Sequence, residues 1–199
     1  MPSPIGHALA GVAVAWFSEL LPATSGLARR HSIGFTGLCA ALAAAPDLDL
    51  IYPPSHRTVT HSVGAVAFTL IVAVVVTGWV KRRREGQKGR EEQEGREEQE
   101  GWWKRVGSVA IVCTAAYASH LLLDWLGSDP SWPAGIQALW PINQRWYISG
   151  VNLFPYIERR EMLSSTSIII NLKPIAGEVA IMGPIVGVAG LLRRLEIKN

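Results

Sequence analysis

The chain has 199 residues, of which 49% are hydrophobic and 18% are charged, and its formal net charge is +3. The length predicts a single domain, and the positive mean hydropathy of +0.20 is unusual for a soluble one. Both cysteines, Cys39 and Cys113, lie within apolar runs, which predicts buried thiols and excludes a disulfide framework. The basic residues cluster at the ends of apolar segments, so the net charge does not indicate a nucleic-acid-binding protein.

Five apolar segments are candidates for membrane-spanning helices, because a helix needs about 20 apolar residues to cross the hydrocarbon. In chain order they are residues 4–21, 33–46, 61–80, 106–126 and 175–192. The segment 33–46 makes a helix only about 21 Å long, so it is predicted to be short or partly re-entrant. Pro184 is predicted to bend the last helix. The sequence thus predicts an all-α, multipass membrane bundle of about five spans.

Two polar segments separate these helices. Residues 81–105 contain the hexapeptide GREEQE twice, at 89–94 and 95–100, and almost no hydrophobic residue. They are predicted to form a solvated or marginally helical linker that interrupts one domain over residues 1–199. Residues 127–174 are rich in Trp, Pro and Gly, which predicts a compact extramembrane loop or interfacial cap.

The distribution of Lys and Arg predicts the orientation of the bundle. With five spans, 14 of the 19 basic residues fall on one side, which the positive-inside rule makes cytoplasmic. That set is Arg29, Arg30, the basic residues of 81–105, Arg193, Arg194 and Lys198. The N-terminus would then lie outside and the C-terminus inside.

This topology brings ionisable side chains from four segments to the outer face. Because an ionisable group at membrane depth costs free energy, such a group indicates a functional role. The set is His7, Asp47, Asp49, His56, Arg57, His61, His120 and Asp124. His120 and Asp124 are four residues apart, so they share a helix face and can hold one ion. Asp47 and Asp49 are two residues apart, and in an extended segment they point the same way. Glu178 is a weaker candidate near the outer end of the last span.

Imidazoles combined with carboxylates suit Zn²⁺ or a similar metal, as one ion with supporting residues or as two ions. We predict the metal ligands His7, Asp47, His56, His61, His120 and Asp124. Asp49 is predicted to be a general base or to orient a ligating histidine, and Arg57 to hold an anionic group or developing negative charge. Simpler explanations stay open: interfacial histidines, a structural bond between His120 and Asp124, and aspartates that cap helices.

Several motifs resemble the YdjM-like membrane-bound metal-dependent hydrolases of bacteria. They are GHALAG at 6–11, PDLD at 46–49, HRTVTHS at 56–62, HLLLDWL at 120–126 and GIQALWPI at 135–142. The resemblance covers most of the chain from residue 5 to about 160, and the GREEQE insert is not part of it. It implies a multipass protein of the inner membrane whose polar site comprises the three aspartates and four histidines named above.

The leading hypothesis is a hydrolase at the extracytoplasmic face of the inner membrane. Its predicted partners are the lipid bilayer and a lipid or other amphiphilic substrate, and no nucleic acid. Two alternatives remain: a metal or proton binding or transport protein, and a non-catalytic scaffold whose 81–105 loop recruits a cytosolic partner. The sequence leaves the metal count, the bond cleaved and the oligomeric state open.

Overall fold

The computed structural model describes residues 1–21, 32–51, 56–86, 97–159 and 164–198. Arg29, Arg30 and Arg160, which entered the predicted charge distribution, lie outside these ranges, as do residues 87–96 of the predicted linker. The described flanks of that linker are helical, since one helix continues to Gly86 and the next begins at Glu97.

The described residues form an all-helical protein, which confirms the predicted fold class. The helices are α1 (Pro4–Ser18), α2 (Ser32–Ala44), α3 (Val63–Gly86), α4 (Glu97–Leu126) and α5 (Ser165–Lys198). Short 3-10 helices cover Ala45–Ile51 and Val59–His61. The described ranges contain no strands, only two isolated bridges, Gly127 with Phe154 and Ile136 with Tyr147.

Four of the helical segments are long and apolar enough to cross a membrane: Ile33–Ile51, Val63–Arg83, Val106–Leu126 and Ser165–Leu195. The segment predicted to be short gains length because the 3-10 helix continues α2 to Ile51. Conversely, α1 has only 15 residues and ends at Ser18, so it is shorter than the predicted 4–21 span. The last helix begins ten residues before the predicted 175–192 span, and both Pro174 and Pro184 lie inside it. Residues 165–174 therefore belong to a helix and not to the predicted loop.

Helix α1 lies at the centre of the bundle and packs against α2, α4 and α5. Small residues permit this close packing. A side chain on Gly11 would place its Cβ 2.3 Å from the Cys39 carbonyl oxygen of α2, so only glycine fits there. Cys39 and Cys113 are buried free thiols, as predicted. Helix α3, in contrast, packs chiefly on α4 and leaves most of its apolar side chains exposed.

Residues 127–159 fold back over one end of the bundle, and we call this segment the cap. Its backbone hydrogen bonds satisfy the first N–H groups of α3: Val63 donates to Ala138 and Gly64 donates to Trp140. Ile136 and Tyr147 exchange two backbone hydrogen bonds across the cap. The cap therefore fixes the turn that carries His61 into α3.

The two ends of the bundle differ in chemistry. At the end opposite the cap, the Arg193 Nε donates to a carboxylate oxygen of Glu19 at 2.6 Å. This ion pair joins the last turns of α1 and α5. The four histidines within the described ranges lie at the cap end together with Asp47, Asp49 and Asp124, which sets the candidate site apart from the basic end of the molecule.

Candidate metal centre

Four segments of the chain bring imidazole and carboxylate side chains together beneath the cap. They contribute His7 from α1, Asp47 and Asp49 from the 3-10 helix after α2, His56 and His61 from the turn before α3, and His120 and Asp124 from α4. His7, His61, His120 and Asp124 have no exposed surface, and Asp47 is 6% exposed. All predicted ligands therefore converge, although Asp47 and Asp49 do so from a 3-10 helix and not from the predicted extended segment.

Asp124 lies at the centre of the buried part of this cluster. Its Oδ2 is 3.2 Å from the Nε2 of His120 and 3.3 Å from the Nε2 of His61. Its Oδ1 is 3.4 Å from the Nε2 of His7. His120 and Asp124, one helical turn apart, therefore share a helix face as predicted. The three imidazole nitrogens surround one carboxylate.

In two imidazole rings, the nitrogen that faces away from Asp124 is hydrogen-bonded, and this determines which nitrogen is free to bind a ligand. The Nδ1 of His120 donates to the Ala43 carbonyl at 2.7 Å, and the Nδ1 of His61 lies 3.2 Å from an oxygen of Asp49. In the neutral rings both Nε2 atoms then carry lone pairs, and these atoms are 3.0 Å apart. Two facing lone pairs repel each other unless a cation or proton lies between them. Such outer hydrogen bonds are typical of metal-ligating histidines.

The cluster also holds buried polar atoms without hydrogen-bond partners. Among the described residues, these atoms are both ring nitrogens of His7, Oδ2 of Asp47 and both carboxylate oxygens of Asp124. A buried polar group without a partner costs about 1–3 kcal/mol, and more when it is charged. Of these atoms, Nε2 of His7 lies 3.4 Å from Oδ1 of Asp124 and 3.9 Å from Oδ2 of Asp47. Such a group of buried donor atoms indicates that the site is built for a ligand that bonds to them.

The geometry and charge of the cluster fit a divalent metal ion. A tetrahedral ion with ligand bonds of about 2.0–2.2 Å holds its ligand atoms roughly 3.3–3.6 Å apart. The contacts of Asp124 with His7, His61 and His120, at 3.4, 3.3 and 3.2 Å, lie at or close to this range. Asp47 adds a carboxylate whose oxygens are 3.9 Å from the same three nitrogens. His7, His120 and Asp124 have ligand atoms within 4.8 Å of one another, and so do Asp47, His56 and His61.

The carboxylates also govern the protonation of His61, which lies between two of the long apolar helical segments, Ile33–Ile51 and Val63–Arg83. Burial lowers the pKa of His61, but the nearby carboxylates of Asp47, Asp49 and Asp124 outweigh it and raise this pKa to about 9. Without a metal, His61 therefore carries the positive charge that three nearby carboxylates require.

A family model describes almost the whole chain. The model of the YdjM inner membrane proteins matches residues 1–194. The chain belongs to the YdjM inner membrane protein family. This confirms the resemblance seen in the sequence motifs and identifies a membrane protein. No curated protein and no solved structure matches the chain significantly.

The outer part of the site in this YdjM-family chain contains an arginine that the sequence did not single out. One guanidinium nitrogen of Arg159 lies 2.8 Å from His56 Nε2 and 3.3 Å from Asp47 Oδ1, and the other donates to the Pro2 carbonyl at 2.8 Å. His56 Nδ1 in turn lies 2.5 Å from Asp49. Arg159 is followed by residues 160–163 outside the described ranges, and no spacing rule connects it to the histidines. One indication of a role for Arg159 came from the sequence, namely that the charge distribution assigns it to the outer side.

Arg57, by contrast, does not direct its guanidinium into the cluster. The guanidinium pairs with Asp129 of the cap, lies 2.8 Å from Ser131 Oγ and stacks 5.4 Å from the Trp146 ring. Burial raises the pKa of Asp129, but hydrogen bonds from Ser131 and Gly135 and the charge of Arg57 outweigh it and lower this pKa. Arg57 therefore ties the turn before α3 to the cap, and its predicted role in holding an anionic group stays a prediction. Glu178, the weaker candidate, contacts Ser3 and not the histidines.

Proposed function

We propose that this protein is a membrane-bound metal-dependent hydrolase that holds Zn²⁺ or a similar ion with His7, His61, His120 and Asp124. The observation that carries the proposal is that Nε2 of His7 and the carboxylate oxygens of Asp124 are buried side by side without hydrogen-bond partners. Imidazole and carboxylate groups are zinc ligands, and a catalytic zinc site would use three of these four side chains, or expand to five-coordination, so that one position stays open for water. A bound zinc ion supplies a Lewis acid that makes water nucleophilic near neutral pH.

The remaining residues of the cluster have distinct proposed roles. Asp49 orients His61 and His56, since it accepts from the Nδ1 of both rings. Asp47 has one oxygen without a partner and lies 3.9 Å from all three buried Nε2 atoms, so it is the better placed general base. Arg159 contacts Asp47 and is the guanidinium placed to stabilise negative charge that develops in the reaction.

The proposed substrate is an amphiphile, such as a lipid phosphate or other lipid ester, that meets the site at the membrane boundary. This follows from the location of the cluster at the ends of apolar helices, beneath the cap. The proposed face is extracytoplasmic, because clustered basic residues lie at the opposite end of the bundle, namely Lys81, Arg82 and Arg83 of α3 and Arg193 and Arg194 of α5. A reporter domain fused at residue 90 of the full-length protein should be active only in the cytoplasm. Activity outside the cell would refute this orientation.

A transport function has less support than hydrolysis. A path for ions or protons needs polar groups through the membrane. Residues 8–15 of α1, the central helix, are all Ala, Leu, Gly or Val. The next ionisable contact along α1 is the Glu19–Arg193 pair at the other end of the bundle.

Metal analysis of the purified full-length protein tests the proposal. We expect stoichiometric zinc in the wild type and its loss in His61→Ala and Asp124→Ala. Glu19→Gln, which changes a buried carboxylate at the opposite end, is the matched control and should retain the metal. The proposal is refuted if the wild type contains no stoichiometric metal, or if both cluster variants retain the full metal content. If zinc binds but zinc-loaded protein cleaves no phosphate or carboxylate ester of a lipid panel, the hydrolase assignment fails and a metal-binding protein remains.

A further inference from the structure

Helix α5 contributes no side chain to the proposed metal centre, yet two of its buried polar residues, on one face, contact segments of the chain that lead into it. They are Asn171, 7% exposed, and Glu178, fully buried. A separation of seven residues is close to two helical turns, so both side chains lie on the same face. Burying a polar group costs free energy unless the group is hydrogen-bonded, so two such residues in an apolar helix are expected to have bonding partners.

Glu178 bonds to the residue that begins α1. One oxygen accepts from the backbone N–H of Ser3 at 2.7 Å, and the other accepts from the Ser3 hydroxyl. Ser3 is the N-cap of α1: its Oγ accepts from the N–H of Gly6, and its carbonyl accepts from the N–H of His7. His7 is therefore only one hydrogen bond away from the residue that Glu178 holds.

The fit between Glu178 and α1 is tight. A Cβ on Gly6 would lie 2.7 Å from an oxygen of Glu178, so the absence of a side chain there lets the carboxylate approach the helix. The helix end is thus fixed in position and in rotation about its axis. Since the His7 ring stacks on the His120 ring with centroids 3.6 Å apart, a small rotation of α1 would move Nε2 of His7 away from Asp124.

Asn171 holds the second segment in the same manner. Its Oδ1 accepts from the backbone N–H of Glu158 and its Nδ2 donates to the Glu158 carbonyl, both at 2.8 Å. The next residue is Arg159, whose guanidinium contacts Asp47 and His56. One face of α5 therefore fixes the backbone at both of the segments that close the outer side of the cluster.

We propose that Asn171 and Glu178 are positioning residues, through which α5 sets the location of His7 and of Arg159 in the metal centre. The proposal rests on the proposed metal-binding function. In this proposal α5 contributes to the site indirectly, because its side chains hold the backbone next to His7 and Arg159 and do not contact the metal ligands.

The test compares Glu178→Leu, Glu178→Gln and the control Glu19→Leu in the full-length protein. Zinc affinity is measured by competition with a chromophoric chelator, and the geometry of the site by the visible absorption of bound Co²⁺. We expect Glu178→Leu to weaken zinc binding about 10- to 100-fold, as losses of residues that orient ligands do, and to alter the Co²⁺ spectrum. Glu178→Gln retains an oxygen acceptor for Ser3 and should stay near the wild-type affinity.

Glu19→Leu removes a buried carboxylate that also joins α1 to α5, so it should lower the melting temperature without weakening zinc binding. If Glu178→Leu binds zinc as the wild type does, or if Glu19→Leu weakens binding as much, Glu178 has no positioning role. Amide exchange gives a readout that does not need metal. Residues 6–8 should exchange faster in Glu178→Leu, residues 158–159 faster in Asn171→Leu, and neither in Glu19→Leu.

A wild type that binds no metal would refute the proposed function, and the exchange pattern would then decide the positioning roles by itself. Unchanged exchange in both α5 variants would overturn them.

Discussion

Replacing Asp49 with asparagine should disrupt the proposed metal centre without removing any of its proposed buried ligands. The Asp49 carboxylate accepts from His56 Nδ1 at one oxygen and, at the other, from the His61 ring, the Thr60 hydroxyl and the Arg57 backbone N–H. An amide has only one acceptor oxygen, and its NH₂ group is a donor. In either orientation of the substituted amide, the NH₂ group faces a ring nitrogen that bears a proton.

The tautomers cannot simply reverse to remove this conflict. His56 Nε2 accepts from Arg159 at 2.8 Å, so its proton must stay on Nδ1. If His61 moved its proton to Nε2, that nitrogen would no longer be a metal ligand. Removal of such an orienting partner costs 10- to 100-fold in metal affinity, which corresponds to about 1.4–2.7 kcal/mol. That range agrees with the roughly 1.5–3 kcal/mol of one hydrogen bond to a charged group.

The assay is zinc affinity by chelator competition on wild-type, Asp49→Asn and Glu19→Gln proteins. The last variant is the matched control, because it makes the same carboxylate-to-amide change at a buried group that bonds to Arg193, at the end of the bundle opposite the histidines. We expect weaker binding only in Asp49→Asn. Wild-type affinity in that variant would refute the inference that Asp49 orients His61, and loss of hydrolysis with full zinc occupancy would identify Asp49 as the general base instead.

Three further predictions concern the stability of the protein. The depressed pKa of Asp129 means that its pairing with Arg57 stabilises the fold above about pH 4, the ordinary range of an aspartate, and is lost as the pH falls below it. Thermal unfolding of Asp129→Asn should therefore show a smaller loss of stability on acidification than the wild type, and an equal loss would contradict the pairing. Gly11→Ala should destabilise the protein by about 1–3 kcal/mol because its Cβ meets the Cys39 carbonyl, whereas Gly37→Ala, with open space around it, should be neutral in the same unfolding assay. Chelation should lower the melting temperature and added Zn²⁺ restore it, by about 2.7 kcal/mol of stability at a free ion concentration of 100 Kd; a melting temperature that ignores both would argue against a folded-state metal site.

Most of the cluster could be predicted from the sequence. Helical spacing relates residues that are close in the chain, and topology determines the side on which each whole segment ends. His120 and Asp124 followed from their separation on one helix, and His7 and His61 from the alternating direction of the spans. The reasoning on Asp47 and Asp49 used the wrong local structure, since a two-residue spacing does not distinguish a strand from a 3-10 helix.

The choice between arginines could not be made from the sequence. Arg57 is adjacent in sequence to His56, yet its guanidinium turns to Asp129, 72 residues further along the chain. Arg159 reaches the cluster because the cap folds back and α5 holds its backbone through Asn171. These contacts depend on the path of an irregular segment, for which hydrophobic periodicity gives no information. Likewise, the sequence placed Glu178 near the site but did not reveal Ser3 as its partner.

The length of α4 has a practical consequence for handling the protein. This helix begins at Glu97, and His120 lies 23 residues further on, about 35 Å along the helix axis at 1.5 Å per residue. Extra length between α3 and α4 is therefore added far from the proposed metal ligands, and in general each doubling of the length of a loop costs only about 0.6 kcal/mol. We expect this position to accept a fluorescent domain or an affinity tag, which would allow imaging and purification of the protein with its metal centre intact.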